Sequence, residues 1–258
     1  MSYVRKEVLA EGCEIYQADM LELLPTLGEF DACVTDPPYG VSLDQSWRDE
    51  ALGDKKLGKG NKNKVSNDDR ADWKEAYLNF KGDVAYVWHR DRYAKLFAQT
   101  LEDSGFEICQ QLIWNKSVMV MGRCDYHFKH EPCWYVVRKG KNHNWIGDRS
   151  QTTVIEAASP NHIMSGSKED RTSHPTQKPV ECMAYLIRNH SGNVYDPFLG
   201  SGTTLIACEQ LNRTCYGMEI EPKYCQVIIN RYYKYCKDNK KPFVCKINGQ
   251  DYKPVNVD

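Results

Sequence analysis

The sequence has 258 residues, of which 41% are hydrophobic, with a formal net charge of −1 and 11 cysteines. This is enough for one large α/β domain, or for a domain with insertions. No apolar run reaches membrane-spanning length and the start, MSYVRK, leads into no signal-peptide core, so we expect a soluble cytoplasmic protein without a membrane partner. No C-x-x-C pair occurs and several cysteines fall in apolar runs, which predicts buried reduced thiols and no metal site.

Strand-like and helical patterns alternate along most of the chain. Strands are predicted at residues 13–18, 31–35, 83–89, 107–114, 133–138, 193–196 and 215–219. Helices are predicted at residues 20–27, 90–102, 180–190, 203–211 and 222–237. This alternation predicts an α/β fold with a Rossmann-like, doubly wound and mostly parallel sheet.

Two stretches, about 42–72 and 117–173, break the alternation. We therefore divide the chain into a first core part (1–116) with a mobile basic loop at 42–72, an insertion (117–173), and a second part of the same core (174–258). The insertion contains HEPCWYVVRKGK, which predicts a strand or hairpin.

Positive charge is concentrated in two segments. Residues 55–64 contain five lysines (Lys55, Lys56, Lys59, Lys62 and Lys64) and no acid, and residues 115–149 have seven Lys or Arg against three acids. Such a run is typical of a solvated loop, but two basic segments beside a pocket also fit an anionic polymer. Both interpretations remain open.

The first motif is TDPPYG at residues 35–40, directly after the apolar run FDACV. Two prolines remove two backbone donors and fix φ, and each extends the residue before it. The result is a stiff rim on which Asp36 and the Pro37 carbonyl can accept hydrogen bonds, with the Tyr39 ring beside them. This suits a flat group that carries an NH2, although a rigid turn with a capping Asp is the alternative.

The second motif is NVYDPFLGSGTT at residues 193–204, a strand end followed by a glycine turn into a helix. Glycines allow a ligand to approach backbone N–H groups at a helix start. Glu219 follows about twenty residues later, where nucleotide-binding α/β domains place an acid for ribose hydroxyls. An adenosine-containing cofactor is therefore predicted. Because ligands bind outside the carboxyl ends of parallel strands, both motifs should line one crevice.

The two motifs together resemble the S-adenosylmethionine-dependent DNA methyltransferases that methylate amino groups. DPPY (36–39) is similar to the catalytic motif of this family and DPFLGSGT (196–203) to its cofactor loop; their order is that of the permuted beta group. IWNK (113–116), HEP (130–132) and HPTQKP (174–179) are similar to further segments, and the similarity spans roughly residues 13–237. The segment QADM (17–20) has Ala18 where the family usually has Gly.

The resemblance implies S-adenosylmethionine as cofactor, with Asp19 and Met20 at its adenine and Glu219 at its ribose. Around the methionine portion it implies Phe198, Gly200, Ser201, Gly202 and Thr203, with His174, Thr176 and Lys178 holding the carboxylate. For Asp196 two roles stay open: ordering the turn, or contacting the cofactor amino group.

For catalysis the resemblance implies that Asp36, Pro37, Pro38 and Tyr39 hold a base swung out of duplex DNA. DPPY favours adenine N6 over cytosine N4 as the methyl acceptor. The resemblance implies that DNA recognition involves the basic loop and the insertion (117–173), which is the expected target-recognition region. Candidate DNA contacts are the lysines of residues 55–64 together with Lys116, Arg123, Tyr126, Lys129 and Arg138. A homodimer and a cognate restriction endonuclease are further partners that the resemblance allows.

Other functions are weighed against this one. Methylation of RNA is an alternative, whereas methylation of a protein amide is disfavoured because Asp36 stands where those enzymes generally have Asn. A DNA-binding module without catalysis is disfavoured because both motifs are intact. A Rossmann dehydrogenase is disfavoured because no G-x-G-x-x-G occurs near the N-terminus.

Overall fold

The structure of the protein is a computed structural model that describes residues 5–9, 12–40, 66–67, 69–121, 125–161, 163–174, 176–252 and 254. Most of the predicted basic loop at 42–72, including its five lysines at 55–64, and Arg123 lie outside these residues, so the DNA contacts expected of them stay predictions. No helix within the described ranges has the length and apolar character needed to span a bilayer.

The described residues form one sheet of 11 strands. The strands are β1 (Arg5–Leu9), β2 (Cys13–Gln17), β3 (Ala32–Thr35), β4 (Val84–Trp88), β5 (Phe106–Val120), β6 (Phe128–Arg138), β7 (Val154–Ala157), β8 (Val194–Asp196), β9 (Cys215–Glu219), β10 (Cys245–Ile247) and β11 (Gln250–Asp251).

The order across the sheet is β11-β10-β1-β2-β9-β8-β3-β4-β6-β5-β7. The five strands from β2 to β4 in this order are parallel to one another, and the next strand on each side, β1 and β6, is antiparallel to its neighbour. From β3 the chain continues to β4, whereas from β8 it continues to β9 on the other side. The adjacent strands β3 and β8 thus form a topological switch point, where open α/β sheets bind ligands.

Helices cover both faces of the sheet. They are α1 (Met20–Leu23), α2 (Lys74–Asn79), α3 (Ala94–Asp103), α4 (Val180–Ile187), α5 (Thr203–Gln210) and α6 (Pro222–Asp238), with short 3-10 turns after α1 and before α3. The first three contribute to one hydrophobic cluster and the last three to another. Alternate residues of β4 enter the two clusters: Val84, Tyr86 and Trp88 face one, and Ala85 and Val87 the other. This two-sided burial explains why the central strands β3 (ACVT) and β4 (VAYVW) are almost entirely apolar.

All the predicted strands and helices are present, with shifted ends. The sequence did not predict β1, β7, β10, β11 or α2. The missed strands are short or lie toward the edges of the sheet. In β1, which reads RKEVL, three charged residues interrupt the apolar alternation that identifies a strand. Segments 117–120 and 128–138 of the predicted insertion continue the sheet through β5 and β6. The role of residues 117–173 in target recognition stays a prediction.

The ten cysteines in the described part of the chain are free thiols, and all except Cys109 are buried. Burial raises the pKa of several of these thiols, among them Cys33 and Cys133. The pKa of Cys215 is raised by its hydrogen bond with Cys208 and by burial. The prediction of buried, unpaired thiols is confirmed for these residues.

Candidate active site

One cavity of about 190 Å³ brings the two motifs together. Asp36 follows β3 directly and Asp196 ends β8, and Ala32 and Val194 are opposite one another in these parallel strands. The predicted site residues that line this cavity are Asp19, Met20, Asp36, Pro37, Pro38, Tyr39, His174, Thr176, Lys178, Asp196, Phe198, Gly200, Ser201, Thr203 and Glu219. Gly202 does not line it; with φ of +82° it caps the start of α5, a conformation that favours glycine.

The Asp36 carboxylate is held by two partners. Tyr39 donates its hydroxyl proton to Oδ1, and the Lys178 ammonium donates to Oδ2 at 2.5 Å and to the Tyr39 oxygen at 3.0 Å. Burial raises the pKa of Asp36 above its ordinary value, while the Lys178 charge opposes that rise. Since each carboxylate oxygen has two lone-pair positions, Asp36 keeps capacity to accept further N–H groups.

A chain of alternating charges continues behind Asp36. The Lys178 Nζ lies 3.0 Å from Glu131 Oε2, and the other oxygen of Glu131 lies 2.5 Å from the Nζ of Lys116. Burial of Glu131 would raise its pKa, but the two ammonium groups outweigh burial and lower it to about 2. Two acids and two lysines therefore balance, and the pKa of Lys178 is raised well above normal by Asp36 and Glu131 despite its burial.

Glu131 was not among the predicted site residues. Lys116 was predicted at DNA, yet only 7% of it is exposed and its ammonium pairs with Glu131. The sequence contained a signal for this: Leu112, Trp114 and Lys116 alternate along β5, and all three are buried. A period of two puts Lys116 on the inner face of the strand.

Asp196 orders the turn that leads from β8 to α5. Its Oδ1 accepts hydrogen bonds from the Thr35 hydroxyl at 2.7 Å and from the Phe198 N–H at 3.1 Å, and its Oδ2 accepts one from Thr204 at 2.6 Å. Burial raises the pKa of Asp196 to about 6. This carboxylate thus ties the end of β3 to β8 and to the start of α5.

The glycine turn is held from behind by Arg231 on α6. Its guanidinium donates to the Ser201 carbonyl at 3.1 Å and to the Thr203 hydroxyl at 2.9 Å, and it pairs with Glu169. Glu169 in turn accepts the Val180 N–H at 2.9 Å. Neither Arg231 nor Glu169 was predicted from the sequence. Together they fix the glycine turn against the segment that precedes α4.

Glu219 lies at the end of β9 beside this turn. Its carboxylate accepts the N–H of Gly200 at 2.8 Å and the N–H of Glu221 at 2.9 Å. Burial outweighs these two bonds and raises the pKa of Glu219 to about 7. One lone pair on each oxygen remains for donors in the cavity.

His174 faces the glycine turn as a neutral imidazole. Burial, and then the charges of Lys178 and Arg231, lower its pKa to about 4. Its Nδ1 accepts the Thr176 N–H at 3.4 Å, which leaves the proton on Nε2. His174 can therefore donate one hydrogen bond to a ligand, but it offers no positive charge at neutral pH. Asp19 also lines the cavity; it follows β2, the neighbour of β9, and its exposed carboxylate caps α1 by accepting the Leu21 N–H at 2.9 Å.

Trp73 joins the two motifs through its ring and its N–H. The indole Nε1 donates to the Pro38 carbonyl at 2.9 Å, and the ring meets Phe198 edge-on with centroids 4.6 Å apart. Trp73 was not predicted as a site residue. The stiff DPPY rim is thus fixed from two sides, by Trp73 and by the Lys178 ion pair.

The remaining predicted DNA contacts fall in different places. Tyr126 is 89% exposed and Lys129 is exposed, both close to the β5–β6 turn. This turn lies beyond the carboxyl end of β4, on the side of the cavity. Arg138 lies at the opposite end of the sheet, where it donates to the carbonyls of Phe80 and Gly82. Arg138 thus lies away from the cavity, and its contact with DNA stays a prediction.

The described residues contain no cluster of three His, Cys, Asp or Glu that could hold a metal ion.

The family model N6_N4_Mtase, described as DNA methylase, matches residues 30–231. Among curated proteins, the chain is 24% identical to Type II methyltransferase M.ScaI of Streptomyces caespitosus, over 84% of this chain and 80% of the relative. It is 24% identical to Type II methyltransferase M2.MboI of Moraxella bovis, over 92% and 93% of the two chains.

Solved structures with similar folds include the M1.HpyAVI–SAM complex. It has a TM-score of 0.61 and 25% identity, over 84% of this chain and 97% of that one. The cytosine-N4-specific PvuII DNA methyltransferase has a TM-score of 0.65 at 15% identity, over 89% and 90% of the two chains.

Proposed function

Because the chain belongs to the N6/N4 family of DNA methylases and uses S-adenosylmethionine, we propose that it transfers a methyl group to N6 of adenine in duplex DNA. One observation carries the proposal: the Asp36 rim and the glycine turn with Glu219 line the same cavity, from adjacent strands. One half can thus hold a base and the other a nucleoside-containing cofactor.

The cofactor half fits S-adenosylmethionine in its chemistry. Glu219 has acceptor capacity for ribose hydroxyls, and the exposed Asp19 carboxylate, which also lines the cavity, would contact the adenine. The neutral His174, with its proton on Nε2, would donate to the methionine carboxylate. When bound, S-adenosylmethionine supplies an electrophilic methyl group.

In the acceptor half, Asp36 would accept one N–H of the exocyclic amine and the Pro37 carbonyl the other. The amine lone pair is delocalised into the base, so holding both N–H groups out of the ring plane returns electron density to nitrogen. Asp36 need not be a strong base, because the amine loses its proton during or after the transfer. Lys178 and Tyr39 fix the carboxylate in one orientation, which is the main contribution of the protein.

The base must leave the duplex to reach this rim. Extrusion costs a few kcal/mol. Stacking on an aromatic side chain returns about 1–3 kcal/mol. Tyr39 would provide that stacking, and exposed groups near the β5–β6 turn, such as Tyr126 and Lys129, would provide contacts to the duplex.

The identity of the base is tested by the product. The purified protein is incubated with methyl-labelled S-adenosylmethionine and genomic DNA from a strain without methylation, and the DNA is digested to nucleosides. We expect the label in N6-methyldeoxyadenosine. Label in N4-methyldeoxycytidine would replace adenine by cytosine as the acceptor, and label in RNA but not in DNA would contradict the choice of nucleic acid.

Cofactor binding is expected to weaken as the pH falls through about 7. Burial raises the pKa of Glu219 to about 7, so below this pH the carboxyl is protonated and loses acceptor capacity for ribose hydroxyls. Calorimetry with S-adenosylhomocysteine should give a Kd that is constant above pH 8 and rises toward pH 6. In Glu219→Gln the Kd should be larger at pH 8 and nearly independent of pH. A wild-type Kd that stays flat from pH 6 to 8 would contradict this role.

A further inference from the structure

Two buried tyrosine hydroxyls in the described part of the chain have no hydrogen-bond partner: those of Tyr77 and Tyr224. Only Tyr224 lines the cavity. It lies in the first turn of α6 and is 2% exposed. A buried hydroxyl without a partner costs free energy, and such groups are rare in folded proteins unless a ligand or water completes them.

The surroundings of Tyr224 indicate which kind of group could be the hydrogen-bond partner of its hydroxyl. Its ring packs edge-on against His174, with centroids 4.6 Å apart. Burial, and then the nearby carboxylates of Glu219 and Glu221, raise the pKa of the phenol to about 12. The hydroxyl is therefore a neutral donor at neutral pH, and Tyr224 and Glu219 line the same cavity.

A ribose hydroxyl has one proton to donate and lone pairs to accept with. The ionised Glu219 carboxylate is an acceptor only. It can accept the hydrogen bond of the ribose O–H, but it cannot donate one to the ribose oxygen. A phenol next to it supplies the missing donor. We propose that Tyr224 is a further cofactor-binding residue, whose O–H donates to the oxygen of the ribose hydroxyl that donates to Glu219. This inference rests on the proposed function in that the adenosyl part of the cofactor occupies the Glu219 side.

The test uses the Kd of S-adenosylhomocysteine, measured by calorimetry on the full-length protein. Tyr224→Phe removes only the hydroxyl and should raise the Kd about three- to tenfold, the usual range for one net hydrogen bond. Tyr77→Phe is the matched control, because it deletes an equally orphaned hydroxyl outside the cavity. Its Kd should equal that of the wild type. Neither substitution should lower the melting temperature without ligand, since no bond within the protein is lost.

Deoxyribose analogues locate the contact. With 2′-deoxy and 3′-deoxy forms of S-adenosylhomocysteine, the wild type should lose affinity for both. Tyr224→Phe should lose no further affinity for the one whose missing hydroxyl was its partner. A Kd of Tyr224→Phe equal to that of the wild type would overturn the proposal and leave water as the partner of the phenol. Losses that simply add for both analogues would also overturn it. Failure of the wild type to bind would contradict the cofactor site itself, a distinguishable result.

Discussion

Replacement of Asp36 by asparagine is expected to lower the rate of methyl transfer by about 10²–10³-fold, the usual effect of removing one preorganised hydrogen-bonding group. The amide keeps the size of the side chain but replaces one acceptor oxygen by a donor. That donor would face either the Tyr39 hydroxyl or the Lys178 ammonium, both of which now donate to the carboxylate. One amide oxygen remains and would be engaged by the other of these two donors, so the negative charge is lost and less acceptor capacity is left for the substrate amine, while the size of the side chain is kept.

The measurement is a single-turnover rate on DNA, combined with the Kd of S-adenosylhomocysteine. The rate should fall, because Asp36 acts on the acceptor base. The Kd should stay within about twofold, because a larger change would mean that the cofactor has lost a hydrogen bond. Asp103→Asn on α3 is the control, because its exposed carboxylate pairs with Lys74 outside the cavity. If Asp36→Asn kept most of the wild-type rate, Asp36 would not be the acceptor.

The second large effect is expected from Lys178→Met. Removing one partner of a buried ion pair costs about 3–5 kcal/mol of unfolding free energy, because the remaining charge stays buried. Here the substitution leaves Asp36 without an ammonium partner and Glu131 with Lys116 alone. The pKa of Asp36, already raised by burial, should rise further without the Lys178 charge. The transfer rate should therefore fall at neutral pH and recover partly as the pH is raised.

Lys116→Met is the matched control for Lys178→Met. It also takes one ammonium from Glu131, but Lys116 pairs with no other acid. It should lower stability while leaving the acid limb of the pH–rate profile close to that of the wild type. The Kd of S-adenosylhomocysteine separates two roles of Lys178. A rate loss with an unchanged Kd fits its contact with Asp36, whereas a strongly raised Kd would mean that it binds the cofactor carboxylate instead.

The sequence predicted the central sheet and the meeting of the two motifs for the same reason. Parallel strands are buried on both faces and read as apolar runs, and their carboxyl ends share one edge of the sheet. Asp36 and Asp196 each follow or end such a run, so their shared cavity could be predicted without knowledge of any side-chain contact. The position of Glu219 in the cavity could also be predicted, because this residue follows the glycine turn at the spacing typical of nucleotide-binding α/β domains.

The sequence could not predict contacts between side chains that meet only through packing. Lys178 was assigned to the cofactor, yet its ammonium reaches Asp36, 142 positions away in the chain. Glu131 approaches Lys178 because β6 pairs antiparallel with β4, a register that no local pattern specifies. Arg231 lies within a helix whose sequence suggests an ordinary amphipathic surface, and only the packing of α6 turns it toward the glycine turn.

The buried thiols have a consequence for handling the protein. Alkylating agents and oxidants react with thiolates, and a raised pKa together with burial keeps these sulfurs protonated and out of reach. The folded core should therefore resist chemical modification even though the protein is rich in cysteine. Once the sheet opens, Cys33, Cys133 and Cys215 become reactive together, so irreversible damage would follow unfolding rather than cause it.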